Sequence, residues 1–122
     1  MVTRYNADIM HELSVTESVM DIVRRHAERA GASRVLRINL VIGELSSIVD
    51  DSVQFYFDFL SRDTIAAGAE LAFRRLPVGL ICGACGHRWQ PRDADWTCPS
   101  CGAASARIDT GREFYVDSIE VE

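Results

Sequence analysis

A chain of 122 residues, 48% apolar and 25% charged, is long enough for one ordinary domain with a small insert and too apolar to stay disordered. Its formal charge of −5 repels phosphate backbones, which excludes a general nucleic-acid binder, and no apolar run approaches the roughly 20 residues of a membrane span. The amino-terminal stretch lacks the charged-then-apolar pattern of a secretory signal. A cytoplasmic, reducing setting is therefore expected, in which four cysteines point to metal binding over disulfides.

Residues 1–9 are polar and irregular and read as a flexible extension. Ser14-Val15-Thr16-Glu17 has capping-box spacing, so a helix is expected to start there. Val15, Val19, Ile22, Val23, Ala27 and Ala30 form its apolar stripe, and Gly31 stops it. From Arg34 to Ile42 the period changes to two, with Leu36, Ile38, Leu40 and Ile42 on one face of a half-buried strand. Asp50, Asp51 or Ser52 caps a second helix, whose face of Val53, Tyr56, Phe57 and Leu60 is widened by Phe55 and Phe59 and which ends near Asp63 to Ala67. Leu71 to Leu76 forms a second strand stopped by Pro77. A third runs from Glu113 to Val121, its apolar phase switching at Asp117-Ser118.

Residues 78–111 differ in kind. They hold every cysteine, both tryptophans and two of the three prolines, too little aliphatic material for a core, so the segment needs a staple. Cys82-Gly83-Ala84-Cys85-Gly86 and Cys98-Pro99-Ser100-Cys101-Gly102 are two knuckles, separated by the twelve residues Gly86 to Thr97. In each, two thiolates three positions apart bite one ion, and the following glycine lets the backbone turn and aim N–H groups at sulfur. Cys82, Cys85, Cys98 and Cys101 are thus expected to hold one structural ion. Zinc is preferred over a lone iron, with Trp89 and Trp96 packing around it and His87 lying just outside. The architecture expected is α+β: two helices on a small three-stranded sheet, with a zinc-ribbon module inserted before the last strand.

Met10-His11-Glu12-Leu13-Ser14-Val15, Val41-Ile42-Gly43-Glu44-Leu45-Ser46-Ser47-Ile48, the paired knuckles and the closing strand resemble, in identity, order and spacing, the HypA/HybF family of hydrogenase nickel-incorporation proteins. The likeness covers Met10 to about Val121. It implies a nickel metallochaperone for maturation of nickel-iron hydrogenase, and in some organisms urease, with zinc in a structural role. Carried onto this chain, the family's nickel set becomes the His11 imidazole with the backbone nitrogens of Met10, His11 and Glu12, assisted by the Glu12 carboxylate. Near-square-planar nitrogen ligation suits Ni(II) and not zinc, so the two sites sort two metals. Met10 here follows nine residues, so either the working chain starts at Met10 or the Ile9–Met10 amide replaces the family's free amine.

The domains expected are an extension at 1–9, a nickel-binding α+β domain at 10–77 plus 112–122, and a zinc-binding domain at 78–111. The resemblance implies two partners: a nickel-handling GTPase of the maturation pathway and the hydrogenase large-subunit precursor. Arg24, Arg25 and Glu28 on the first helix are candidates for docking, and the connections at Pro77 and Gly111 are compatible with a homodimer. No nucleophile–base pair, phosphate loop or open metal site is legible, so no enzyme is expected. The competing readings are a rubredoxin-like iron electron carrier and a zinc-ribbon interaction module. A nucleic-acid-binding ribbon is disfavoured because residues 78–111 carry only Arg88, Arg92 and Arg107 as strong bases.

Overall fold

The computed structural model describes residues 4–122, with side chains from Glu12 onward. Its elements are α1 (Arg4–Arg29), β1 (Val35–Gly43), α2 (Asp50–Leu60), β2 (Glu70–Leu76), β3 (Gly79–Cys82), β4 (Arg88–Trp89), β5 (Ala106–Thr110) and β6 (Phe114–Val121). The strands form two three-stranded sheets, ordered β2-β1-β6 and β4-β3-β5. The two helices, the first sheet and the inserted ribbon are the α+β architecture that the hydropathy pattern predicts. The chain divides into two compact units: residues up to Val41 with Ser47–Arg74 and Phe114–Glu122, and Ile42–Ser46 with Arg75–Glu113.

The first unit is held by the faces of α1, α2 and β1. Val19, Val23 and Ala27 of α1, Val53 and Phe57 of α2, and Val35, Ile38, Leu40 and Val41 of β1 are all buried. Gly31 ends α1 at φ 67°, where its N–H reaches the Glu28 carbonyl at 3.0 Å and that of Ala32 reaches Ala27 at 3.0 Å. This pair of hydrogen bonds satisfies carbonyls that a helix end leaves unpaired, and glycine adopts the left-handed turn without a Cβ penalty.

Several expectations are corrected. α1 already runs through residues 4–13, so residues 4–9 are not a flexible lead-in, while residues 1–3 lie outside the described set. Ser14 and Glu17 stand inside the helix and cap nothing; the neighbouring Thr16, fully buried, bonds its hydroxyl back to the Glu12 carbonyl at 2.6 Å. The N-cap of α2 is Val49, which has no capping side chain of its own, and α2 stops at Leu60. In β1 the alternation holds at Ile38, Leu40 and Ile42 but not at Leu36, which is 38% exposed while Val35 is buried. Phe55 and Phe59 do not widen the core face of α2; both point to solvent. The phase switch expected in β6 is present, with Phe114, Val116 and Ile119 half-buried and Asp117-Ser118 exposed between them.

In the second unit, β3 pairs antiparallel with β4 and with β5, placing Leu80 opposite Trp89 and Ile108. Leu80, completely buried, is the core of the ribbon. The two tryptophans are only half-buried, and Trp89 stacks against the His87 ring at 5.8 Å. The Gly43–Leu45 segment closes the same unit: Gly43 N–H bonds the Glu113 carbonyl at 2.8 Å, Glu44 N–H bonds Leu76 at 2.9 Å, and Leu45 N–H bonds Gly111 at 2.7 Å.

Candidate metal centres

The two knuckles are built alike. The first cysteine of each, Cys82 or Cys98, donates its N–H to the carbonyl five residues on, His87 at 2.8 Å and Ala103 at 3.0 Å, and its own carbonyl accepts from Gly86 or Gly102 at 2.9 Å. Those glycines stand at φ 79° and 76°, a left-handed turn that a side chain would strain. The bend leaves N–H groups facing sulfur, and Ala84 N–H meets Cys82 Sγ at 3.4 Å as Cys101 N–H meets Cys98 Sγ at 3.4 Å.

The four sulfurs lie within 4.8 Å of one another, with Cys82 Sγ 3.6 Å from Cys101 Sγ and Cys85 Sγ 3.7 Å from Cys98 Sγ. A tetrahedral ion with zinc–sulfur bonds of about 2.3 Å sets its sulfurs about 3.8 Å apart. The donor set therefore fits zinc. Cys82 and Cys98 are buried, while Cys85 and Cys101 are exposed. Among the described residues, no other group of three or more His, Cys, Asp or Glu could hold a metal.

Electrostatics inside the cluster point the same way. Backbone N–H groups of Cys85 and Ala84 draw the Cys82 thiol down to about 6, outweighing burial. Burial opposes ionisation of Cys98, but the N–H groups of Cys101 and Ser100 win and lower it. Cys101 is pushed up to about 12: the Ala103 N–H favours its thiolate, but the bonds from Cys82 and Cys85, burial and Cys98 all favour the thiol. Four thiolates this close repel one another unless a cation sits among them, so the cluster ionises fully only around a metal. Ser105, whose hydroxyl lies 3.7 Å from Cys82 Sγ, was invisible in the sequence because no spacing rule marks it.

The expected nickel residues fall in α1. Met10, His11 and Glu12 are helical in backbone, and the side chains of Met10 and His11 lie outside those described. Glu12 is engaged elsewhere: its Oε2 accepts from Val49 N–H at 2.8 Å, satisfying the backbone donor of the N-cap residue of α2. Arg24 and Arg25, the exposed docking candidates, both pair with Asp21, at 3.2 and 2.6 Å.

A helix pair on a three-stranded sheet and a ribbon whose four cysteines form a metal-sized cage define a small metal-handling protein. A family model described as "Hydrogenase/urease nickel incorporation, metallochaperone, hypA" matches residues 10–121, and the chain belongs to that family. It is 45% identical over 113 residues to the hydrogenase maturation factor HypA of Dehalococcoides mccartyi, covering 93% of this chain and 95% of that one. It is 43% identical over 114 residues to HypA of Caldanaerobacter subterraneus subsp. tengcongensis, covering 93% and 100%. Among solved structures, a HypA protein in solution superposes with a TM-score of 0.78 at 27% identity, covering 93% of this chain and 97% of that one. The Ni metallochaperone HypA from Helicobacter pylori superposes with a TM-score of 0.68 at 25% identity, covering 90% and 96%.

Proposed function

We propose that this chain carries Ni(II) to a nickel-iron hydrogenase under construction, and to urease where the host makes one. The observation that carries this reading is a family match running unbroken from Met10 to the last strand, residues 10–121, so that it opens on the Met-His-Glu segment and includes both knuckles. No described helix is long and apolar enough to cross a membrane, in keeping with a cytoplasmic carrier.

Under this reading Cys82, Cys85, Cys98 and Cys101 hold zinc, which supplies folding free energy to residues 78–111. With four protein ligands it has no position for water or substrate, so the chain moves an ion and is not an enzyme. Residues 10–77 with 112–122 handle the cargo. His11 offers imidazole nitrogen and the backbone nitrogens of Met10, His11 and Glu12 complete a planar set, a geometry that Ni(II) accepts and zinc does not favour. The Glu12 carboxylate acts mainly through Val49, positioning the segment. A nickel-handling GTPase and the hydrogenase large-subunit precursor are the partners on either side of the transfer.

The test is metal content by mass spectrometry, with and without added nickel, for the intact chain and for His11→Ala. One zinc per chain in both, and one nickel only where His11 is present, is the expected result. A chain that takes up no nickel from either Met1 or Met10 would end the carrier reading.

A further inference from the structure

On α2 the inner face is already complete, with Val53 and Phe57 at 0% and 1% exposure, yet Phe55 and Phe59 stand at 69% and 62%. They are four residues apart, so the rings sit one above the other on the outer face. A single surface phenylalanine needs no explanation, whereas two on one face of a helix form an apolar patch that, among the described residues, stays largely open to solvent. The patch is also organised: the Arg62 guanidinium lies 5.5 Å over the Phe59 ring, the Phe55 ring meets Tyr56 edge-on at 5.4 Å, and Gln54 donates to Asp58 at 2.8 Å.

The charges around it select the occupant. Exposed Asp51 and Asp58 stand four and three positions from Phe55, one turn away on the same side of the helix, and exposed Asp63 follows its end, with Arg62 as the one basic residue of 50–63. Two copies paired face to face would set these carboxylates against their own images, and an anionic bilayer would be repelled in the same way. A helix with apolar residues on one face and Lys or Arg at its margins covers the rings and answers the carboxylates. We propose that the outer face of α2 docks such a basic, amphipathic helix of a delivery partner. The proposal rests on the carrier reading for its purpose. It gains from position, since the α2 N-terminus is where Glu12 is bound to Val49, so a partner lying along α2 reaches the residue next to His11.

The probe is a synthetic helical peptide of about 14 residues with leucines on one face and lysines beside them, with a second peptide in which glutamates replace the lysines. Calorimetric titration of the full chain is expected to show binding of the first peptide and not of the second. Phe55→Ala with Phe59→Ala should weaken it by roughly tenfold or more, and Asp51→Asn with Asp58→Asn should weaken it and flatten its salt dependence. The charge variant leaves the apolar surface intact, so it decides the matter if the double alanine variant misfolds. Affinity unchanged in the charge variant, or self-association of the wild type that the alanine variant abolishes, overturns the proposal. Nickel uptake is measured on the same samples: nickel lost with peptide binding intact defeats the carrier reading alone, and peptide binding lost with nickel intact supports the docking face.

Discussion

Glu12 and Val49 are 37 positions apart in sequence, yet the Glu12 carboxylate accepts the Val49 N–H at 2.8 Å. A helix start has unpaired N–H groups and a partial positive charge, and a carboxylate there serves both. Glu12 does for α2 what the N3 glutamate of a capping box does elsewhere, accepting the N–H of the N-cap residue, but from another helix.

Replacing Glu12 by Ala is therefore expected to cost about 1 kcal/mol, the usual value of a lost cap, read as a lower denaturant midpoint with an unchanged slope. Nickel affinity should fall less in this variant than in His11→Ala, since the carboxylate is engaged at α2. An equal loss in the two would place the Glu12 carboxylate on the ion.

A second prediction sets Phe57 against Phe55. Phe57 is 1% exposed and Phe55 69%, so Phe57→Ala should destabilise by about 3–5 kcal/mol, while Phe55→Ala should stay within about 0.5 kcal/mol of the wild type. Chemical denaturation of the two variants distinguishes them. The sequence separates them less sharply: the helical period puts Phe57 on the inner face, but with aromatic residues at 55, 56, 57 and 59 it leaves open how far Phe55 and Phe59 widen that face.

That ambiguity marks the limit of what could be read from the chain alone. The helix pair, the three long strands and the cysteine cage were legible because periodicity and Cys-x-x-Cys spacing are local. The start of α1 was not, since Ser14-Val15-Thr16-Glu17 satisfies a capping rule that the preceding residues override by continuing the helix. The cap on α2 was hidden for the opposite reason: its donor and acceptor come from different helices, and no local pattern links Glu12 to Val49. The Ile42-Gly43-Glu44-Leu45 motif likewise has no local reason, because its glycine answers to Gly111, far away in sequence.

A Cβ on Gly43 would run into both the carbon and the oxygen of the Gly111 carbonyl. Those are backbone atoms and cannot swing aside, so Gly43→Ala should cost about 1–3 kcal/mol, the range of overpacking. Thermal unfolding followed at the tryptophans, both in residues 78–111, should move earlier. An unshifted transition would mean that the two chain segments separate readily.

Zinc retention should fall in acid, with a sign that follows from the thiols. Cys82, lowered to about 6, is a thiolate at neutral pH whose contribution to folding is fully present above the ordinary thiol value of 9.0 and is lost as pH falls through about 6. Cys101, pushed up to about 12, must give up a proton whenever zinc enters. Zinc loading near neutrality thus releases protons, and apparent affinity should drop by roughly tenfold per pH unit for each proton displaced. A chromogenic chelator titration from about pH 8 to about pH 5 measures this, and a flat profile would exclude thiolate ligation. Cys98→Ser should lose the ion altogether, and the wild type should be colourless, which separates zinc from iron.

The last prediction concerns cargo loading. α1 extends from Arg4, so the amides of Met10, His11 and Glu12 lie in helical backbone, where each N–H is committed to a carbonyl four residues back. Nickel held by deprotonated amides removes those hydrogens, so loading the longer chain must unwind this part of the helix. A chain starting at Met10 has no preceding turn to break and offers a free amine, which loses its proton far more easily than an amide. It should bind nickel at least roughly tenfold more tightly, about 1.4 kcal/mol. Added nickel should lower the helical circular dichroism of the long form more than that of the short one. Equal affinity and equal spectra would mean that the ion does not use these amides, leaving the His11 imidazole to hold it with side-chain ligands alone.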